Sequence, residues 1–285
     1  MSHTRRVGFG VSVVAASLLL AFIPLATAAS AAPPPVRANV TDAPICPAAT
    51  PNGRFVRWIY LQILNRCPDA SGASYWTAKL DKGTDRWAFA RQIDYSDENI
   101  YKNNVDGLYS DLLGRTPTAD EAAAGAASIR STEGDANLIA HLASSDEFYA
   151  TMQGATAADR DQAWLNFAYN GIVDRDPDVQ GRAHYTAVLA SPSTEATRHK
   201  VAMSLEHSAE NAGGWTTAVY FAGLNRPPDP SGFAHWKNWL LTTGFRTFRM
   251  WTGILSSDEA NRFAQTQPNP PAPAPATQTR AWGHM

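Results

Sequence analysis

The sequence predicts an all-α protein, four helical repeats of roughly 50 residues packed side by side into a helical array or bundle. Three observations lead there. One phrase is written twice, as NRCPDASGASYW at residues 65–76 and NRPPDPSGFAHW at residues 225–236. Aligning the chain on the arginine of that phrase yields FVRWIYLQILNRCPD (55–69), NVDGLYSDLLGRTPT (104–118), WLNFAYNGIVDRDPD (164–178) and WTTAVYFAGLNRPPD (215–229), spaced by 49, 60 and 51 residues. Finally, each copy opens with apolar residues at helical spacing and closes with helix stop and start signals.

Residues 1–31 read as a secretory signal peptide. They carry the basic pair Arg5-Arg6, an apolar stretch from Val11 to Ala26 and the small-residue site Ala29-Ser30-Ala31. An uncleaved anchor is the competing reading, because the apolar run is long for a signal although Pro24 breaks it. Arg5-Arg6 leaves twin-arginine export open beside the ordinary route. All of these readings expect the chain to be exported, with a secreted or cell-wall-associated location. Residues 32–53 are expected to be extended. An oxidising compartment permits Cys46 and Cys67 to form a disulfide, which on chain entropy stabilises the fold by about 3 kcal/mol. Two buried free thiols are the alternative.

The repeats are expected at residues 54–100, 101–160 (with a connector), 161–213 and 214–265. In the first, Phe55, Val56, Ile59, Tyr60, Ile63 and Leu64 form one broad helical stripe. Tyr60, Tyr109, Tyr169 and Tyr220 share a slot in that stripe, so the ring is expected in the core with its hydroxyl at a polar edge. Six residues on stand Arg66, Arg115, Arg175 and Arg226, expected in the last turn, where a cation meets free carbonyls. Pro68, Pro177 and Pro228 are expected to stop the helix. Asp69, Asp178 and Asp229 then cap a second helix, and Gly72, Gly181 and Gly232 follow three residues later. Helix propensity does not favour glycine there, so the close approach of another backbone is expected. The second copy has Thr118 and Glu121 in those places and departs furthest from the pattern.

Each repeat closes with an acidic phrase, YSDEN (95–99), SSDEF (144–148), HSAEN (207–211) or SSDEA (256–260). Ser144 with Glu147 and Ser256 with Glu259 fit the capping box. One residue type kept four times in register suggests more than a solvated helix end. The arginines are therefore expected to be partly buried, bonding helix-end carbonyls or Glu98, Glu147, Glu210 and Glu259. Residues 266–285 are proline-rich and expected to be extended.

The four copies of Tyr-x5-Arg-x-Pro, three of them running on to Pro-Asp-x-x-Gly, together with the Ser-Asp-Glu closures, resemble the bacterial family called domain of unknown function 4214. The likeness covers residues 54 to 265. That family is similar to the repeats of phycobilisome linker proteins and occurs in secreted and surface proteins, often beside adhesin or polysaccharide-related modules. The resemblance implies a helical repeat fold and carries no catalytic residues onto this chain.

Sequences for a metalloprotease, a nucleophile elbow, a phosphate-binding loop or a zinc site are absent from the chain. No cofactor and no catalytic residue is therefore expected. Removing Arg5 and Arg6 leaves 22 basic against 26 acidic residues with no basic run, which argues against nucleic acid, and no second long apolar segment argues for a membrane once the signal is cleaved. Asp174, Asp176 and Asp178 alternate as calcium ligands do, but Val179 and Tyr185 stand where the calcium loop wants glycine and glutamate, so capping is preferred. Trp236, Trp239 and Trp251 crowd the last repeat and are the candidate sugar-binding residues, Trp239 being the one expected to be exposed. The expected function is a secreted, non-enzymatic interaction module at the cell envelope or extracellular matrix, with surface polysaccharide or an envelope protein as partner. A secreted enzyme acting on cell-wall or extracellular glycans is the alternative.

Overall fold

Capped turns start most of the helices. In the computed structural model residues 48–131, 134–190 and 192–266 are described, and among them are fourteen α-helices, one π-helix and no strand. Residues 1–47 and 267–285, with the expected signal peptide, Cys46 and the proline-rich tail, lie outside the described residues. Thr50 accepts a bond from the Gly53 amide and Pro51 takes the first helical position, so α1 (Pro51–Leu64) begins inside the segment expected to be extended. α2 (Ala70–Asp81) and α3 (Arg86–Asp94) follow, then a π-helix (Glu98–Val105) that runs on as α4 (Asp106–Leu113). α5 (Ala119–Arg130), α6 (Gly134–Ser144) and the one-turn α7 (Asp146–Tyr149) complete the first half. The second half is α8 (Ala157–Val173), α9 (Val179–Leu189), α10 (Glu195–Glu206), α11 (Ala209–Leu224), α12 (Pro230–Thr242), α13 (Thr247–Leu255) and α14 (Asp258–Thr266). No helix among the described residues is long and apolar enough to cross a membrane.

The two halves match helix for helix, and equivalent positions in their later parts lie 112 residues apart: Arg86 and Arg198, Ser96 and Ser208, Ser145 and Ser257. They pack reciprocally. α3 of the first half lies on α13 of the second, and α10 of the second half lies on α6 of the first. Phe55, Ile59 and Phe89 therefore share a core with Val219, Met250 and Leu255, while Leu108, Ile139 and Leu142 share the other with Trp164, Leu165 and Val201. α1 also touches α14, so the outermost helices of the array meet. Of the two arrangements the sequence left open, array or bundle, the described helices form the closed one. Matched polar contacts seal both junctions. Arg198, 1% exposed, donates through Nε to the Ser144 carbonyl (2.9 Å) and through Nη2 to Asp146 (2.5 Å). Its counterpart Arg86 donates to the Ser256 carbonyl and pairs with Asp258.

The π-helix has a countable cause. From Ser96 to Arg115 is 19 residues, whereas from Ser208 to Arg226 is 18. The first half holds one residue too many for a regular helix between fixed ends, and i→i+5 bonding takes up the surplus. The buried Asn99 and Asn104 steady the widened turn, their side-chain amides donating to the carbonyls of Asp94 and Asn99, each at 2.7 Å.

Several sequence expectations on helix ends need correction. The first helix of each unit ends in a left-handed residue, Asn65 (φ 51°), Gly114 (φ 65°), Asp174 (φ 58°) or Asn225 (φ 53°), before the proline is reached. The arginine therefore lies outside the last turn. The caps of the closing phrases sit one residue later than expected: Ser145 accepts from the Phe148 amide (3.1 Å) and Ser257 from the Ala260 amide (3.1 Å), in line with Ser96 and Ser208. Glu147 and Glu259 are left free for another partner. The elbow that departs most in sequence is intact, because Thr118 and Glu121 form a reciprocal capping box.

Glycine three residues past the cap also has a different reason. A Cβ at Gly181 or Gly232 would run into the hydroxyl of Tyr169 or Tyr220 on the preceding helix, and one at Gly72 would stand 3.0 Å from the Tyr60 hydroxyl. A side chain, not a backbone, needs the space. In an exposed helix Gly→Ala stabilises by about 1 kcal/mol. Here Gly181→Ala is expected to lower stability by about 1–3 kcal/mol through overpacking, and Tyr169→Phe in the same chain to recover much of it. Chemical denaturation of the single and double variants measures this, and a stabilising Gly181→Ala contradicts it.

Candidate functional site

Two sets of arginines dominate the polar chemistry, and they differ in whether their charge is satisfied. The first set is the repeated one. Tyr60, Tyr109, Tyr169 and Tyr220 are buried, and a guanidinium lies over each ring with its carbon 5.2 to 5.4 Å from the centroid. From that seat Arg66 grips Glu98 with two bonds of 2.6 Å. Arg115 grips Glu147 at 2.6 and 2.8 Å, Arg175 grips Glu210 at 2.5 and 2.8 Å, and Arg226 grips Glu259 at 2.5 and 2.7 Å. The remaining nitrogen donates to the carbonyl of the next residue, Cys67, Thr116, Asp176 or Pro227. Asp69, Asp178 and Asp229 accept from the amides of Gly72, Gly181 and Gly232 at 2.8 to 2.9 Å. Where the second unit lacks that pair, Glu121 gives Arg115 a second carboxylate at 2.7 and 2.8 Å and is itself held down to about 2 by it. Bonding to the arginines holds Glu98, Glu147, Glu210 and Glu259 below the ordinary glutamate value. These four clusters are joints whose cations are spent on the fold.

The second set was not legible in the sequence. Residues from α3, α5, α6 and α13 meet around a cleft of about 140 Å³ whose lining includes Arg91, Tyr95, Arg130, Arg246, Phe248 and Arg249. It adjoins a shallow depression of about 430 Å³ formed by Trp87, Ala88, Arg91, Gln92 and Tyr95. Arg91 lies over both Trp87 and Tyr95, at 5.2 Å from each centroid, and Arg249 lies over Trp87 at 5.9 Å. Arg130 is paired with Asp97 at 2.5 Å. Arg91, Arg246 and Arg249 make no ion pair among the described residues, and the buried Nε of Arg246 has no hydrogen-bond partner there. α13 starts at this cleft without a side-chain cap. No carboxylate belongs to the described lining of either hollow.

Beneath the cleft two acids are shut in the core. Asp94 and Asp135 are each 1% exposed. Asp94 accepts from Thr252 (2.7 Å) and Asn99 (3.2 Å), and Asp135 accepts from Thr247. Burial pushes Asp94 up to about 8 and Asp135 up to about 6, the threonines opposing it.

The residues singled out for ligands behave otherwise. Trp236, Trp239 and Trp251 are all half-buried against the first core. The Trp236 ring is wedged onto Gly253, and Trp239, expected to be exposed, meets it edge to face at 5.6 Å. They form no open platform. Asp174, Asp176 and Asp178 do separate jobs: Asp174 takes the left-handed C-cap, Asp176 accepts from Asn170 (2.8 Å) and Asp178 caps α9. Among the described residues no group of three or more His, Cys, Asp or Glu is gathered to hold a metal.

Residues 47–103 and 140–215 match the family model described as Domain of unknown function (DUF4214). These two segments are DUF4214 domains. No curated protein and no solved structure matches the chain. Each DUF4214 segment holds one complete joint, Tyr60 to Glu98 in the first and Tyr169 to Glu210 in the second. The arginine cleft draws on the first DUF4214 segment through Arg91 and Tyr95 and on unmatched residues for the rest, while the adjoining depression is lined wholly from that segment.

Two tests follow from the DUF4214 joints and the acids beneath the cleft. The Arg226 and Glu259 side chains are 35% and 39% exposed, so Arg226→Ala is expected to cost only about 1 kcal/mol. Arg226→Lys should recover little because lysine cannot make the fork, and Lys200→Ala on the exposed face of α10 should change nothing. Urea midpoints of the three variants decide it. The second test is pH. Asp94 and Asp135 have raised values, so their contribution is full below the ordinary aspartate value and is lost as pH rises through about 6 and about 8. The joint glutamates have lowered values, so theirs is present above the ordinary glutamate value and is lost as pH falls through the depressed ones. The melting temperature should rise from pH 8 to pH 5 and fall in stronger acid, and Asp94→Asn should flatten the upper limb.

Proposed function

We propose that this protein is a secreted, non-enzymatic interaction module of the bacterial cell envelope or extracellular matrix, and that it binds surface polysaccharide. The observation that carries the reading is the shallow depression of the half-buried Trp87 and Tyr95, with Arg91 laid over both rings, next to the arginine cleft: a surface with hydrogen-bond donors and no lining carboxylate among the described residues. Such a surface suits a polymer laid across it, with rings packed on apolar faces and hydroxyls or charges met by donors. Export by the N-terminal segment and a Cys46–Cys67 disulfide belong to the same reading, since both fit a domain working outside the cytoplasm. Adhesion of the cell to its matrix is the role such a module would serve.

Glycan hydrolysis gains little support by comparison. It asks for two carboxyl groups flanking one cleft, whereas Asp94 and Asp135 are sealed behind Thr252 and Thr247. The test is incubation of the full-length exported protein with isolated envelope and exopolysaccharide fractions, measuring retention and released sugar together. Retention without sugar release is expected. Sugar release without retention overturns the proposal in favour of an enzyme.

A further inference from the structure

We infer that the Arg91–Arg246–Arg249 cleft is an anion subsite, which makes the preferred ligand an acidic polysaccharide whose carboxylate groups enter it. The inference rests on the polysaccharide reading above and narrows it to uronate-bearing chains. Four observations carry it. Three arginines line one small hollow with no carboxylate partner among the described residues, in a chain whose repeated arginines are each forked onto a glutamate. An incoming anion is the partner that these cations lack among the described residues. Arg91 and Arg249 are stacked on aromatic faces, which keeps their planes fixed and their donor edges available for two-point recognition of a carboxylate. The Nε of Arg246 is already out of water and has no hydrogen-bond partner among the described residues, so desolvating it is no longer a cost of binding. Lastly, the uncapped start of α13 adds its positive dipole end at the same place.

The adjoining depression explains why a polymer is expected and not a free ion. The Trp87 and Tyr95 surface of about 430 Å³ continues outward from Arg91, giving the sugar units that lead away from the bound carboxylate a partly apolar floor. In the crevice related by the internal duplication the equivalents of Trp87, Arg91, Arg246 and Arg249 are His199, Met203, Gly134 and Asn137, so only one of the two can take an anion this way.

The experiment uses the full-length chain, polygalacturonate oligomers as acidic probe, neutral dextran, inorganic phosphate and single-stranded DNA, with binding followed by calorimetry at low and high salt. Expected are binding of the oligomers that weakens with salt and with competing phosphate, no comparable binding of dextran, and at least a tenfold loss in Arg91→Ala/Arg249→Ala. Arg249→Lys should restore little of it. The helical spectrum and melting temperature of each variant should match those of the parent, since these side chains make no ion pair among the described residues. Equal binding by parent and double variant overturns the anion subsite while leaving a polysaccharide module standing. Preference for dextran does the same. Failure to bind any glycan, in purified or envelope fractions, overturns both, and tighter binding of DNA than of the oligomers overturns the choice of ligand class.

Discussion

A guanidinium forked onto a glutamate 32 to 35 residues away is the contact on which this architecture turns. It ties an elbow between two helices to the start of a later helix, which after the first and third elbows is the helix that opens the next unit, so the chain is held to one return path. The tyrosine beneath the guanidinium sets its height, and the missing Cβ of the glycine sets the depth of the tyrosine. Each member thus constrains the next. Because the pair is about a third exposed, its worth lies in fixing geometry more than in stabilising the fold.

The reciprocal packing of the halves builds on those rigid units. An open array of helical units needs special ends to protect its first and last members. Here α1 and α14 protect one another, and α3 and α10 each cross to the opposite half. Asp135 and Thr247, equivalent positions 112 residues apart, bond to each other where α6 and α13 meet. Such a self-pairing is what a point near an approximate two-fold axis requires. The arginine cleft opens beside it and inherits only one copy of its cations, because the duplicated sequences have diverged at those positions.

This divergence separates structure from chemistry within one molecule. Arginines kept in register across the units are saturated, stacked below and forked above. Three outside the register, Arg91, Arg246 and Arg249, are aromatic-stacked or partly buried and have no ion pair among the described residues. A residue required by the joint has no bonding capacity left for a ligand. A residue that the joint does not require is where binding can evolve.

The sequence by itself determined the local physics: helical stripes through Tyr60, Tyr109, Tyr169 and Tyr220, caps at Asp69, Asp178 and Asp229, and the glutamate of each closing phrase as one of the two partners expected for its arginine, the other being helix-end carbonyls. These are contacts within about 35 residues, and their periods and spacings are written along the chain. It misjudged the frame of the serine caps and the reason for the glycines, because a shift of one residue or the tilt of a tyrosine leaves no linear trace. Only the tertiary structure decided that the array closes, that Trp239 packs inward, and that Arg91 and Arg249, 158 positions apart, share one cleft. The physical reason is that closure depends on the summed angles of many helix crossings, to which every side-chain volume contributes, and no single spacing encodes that sum.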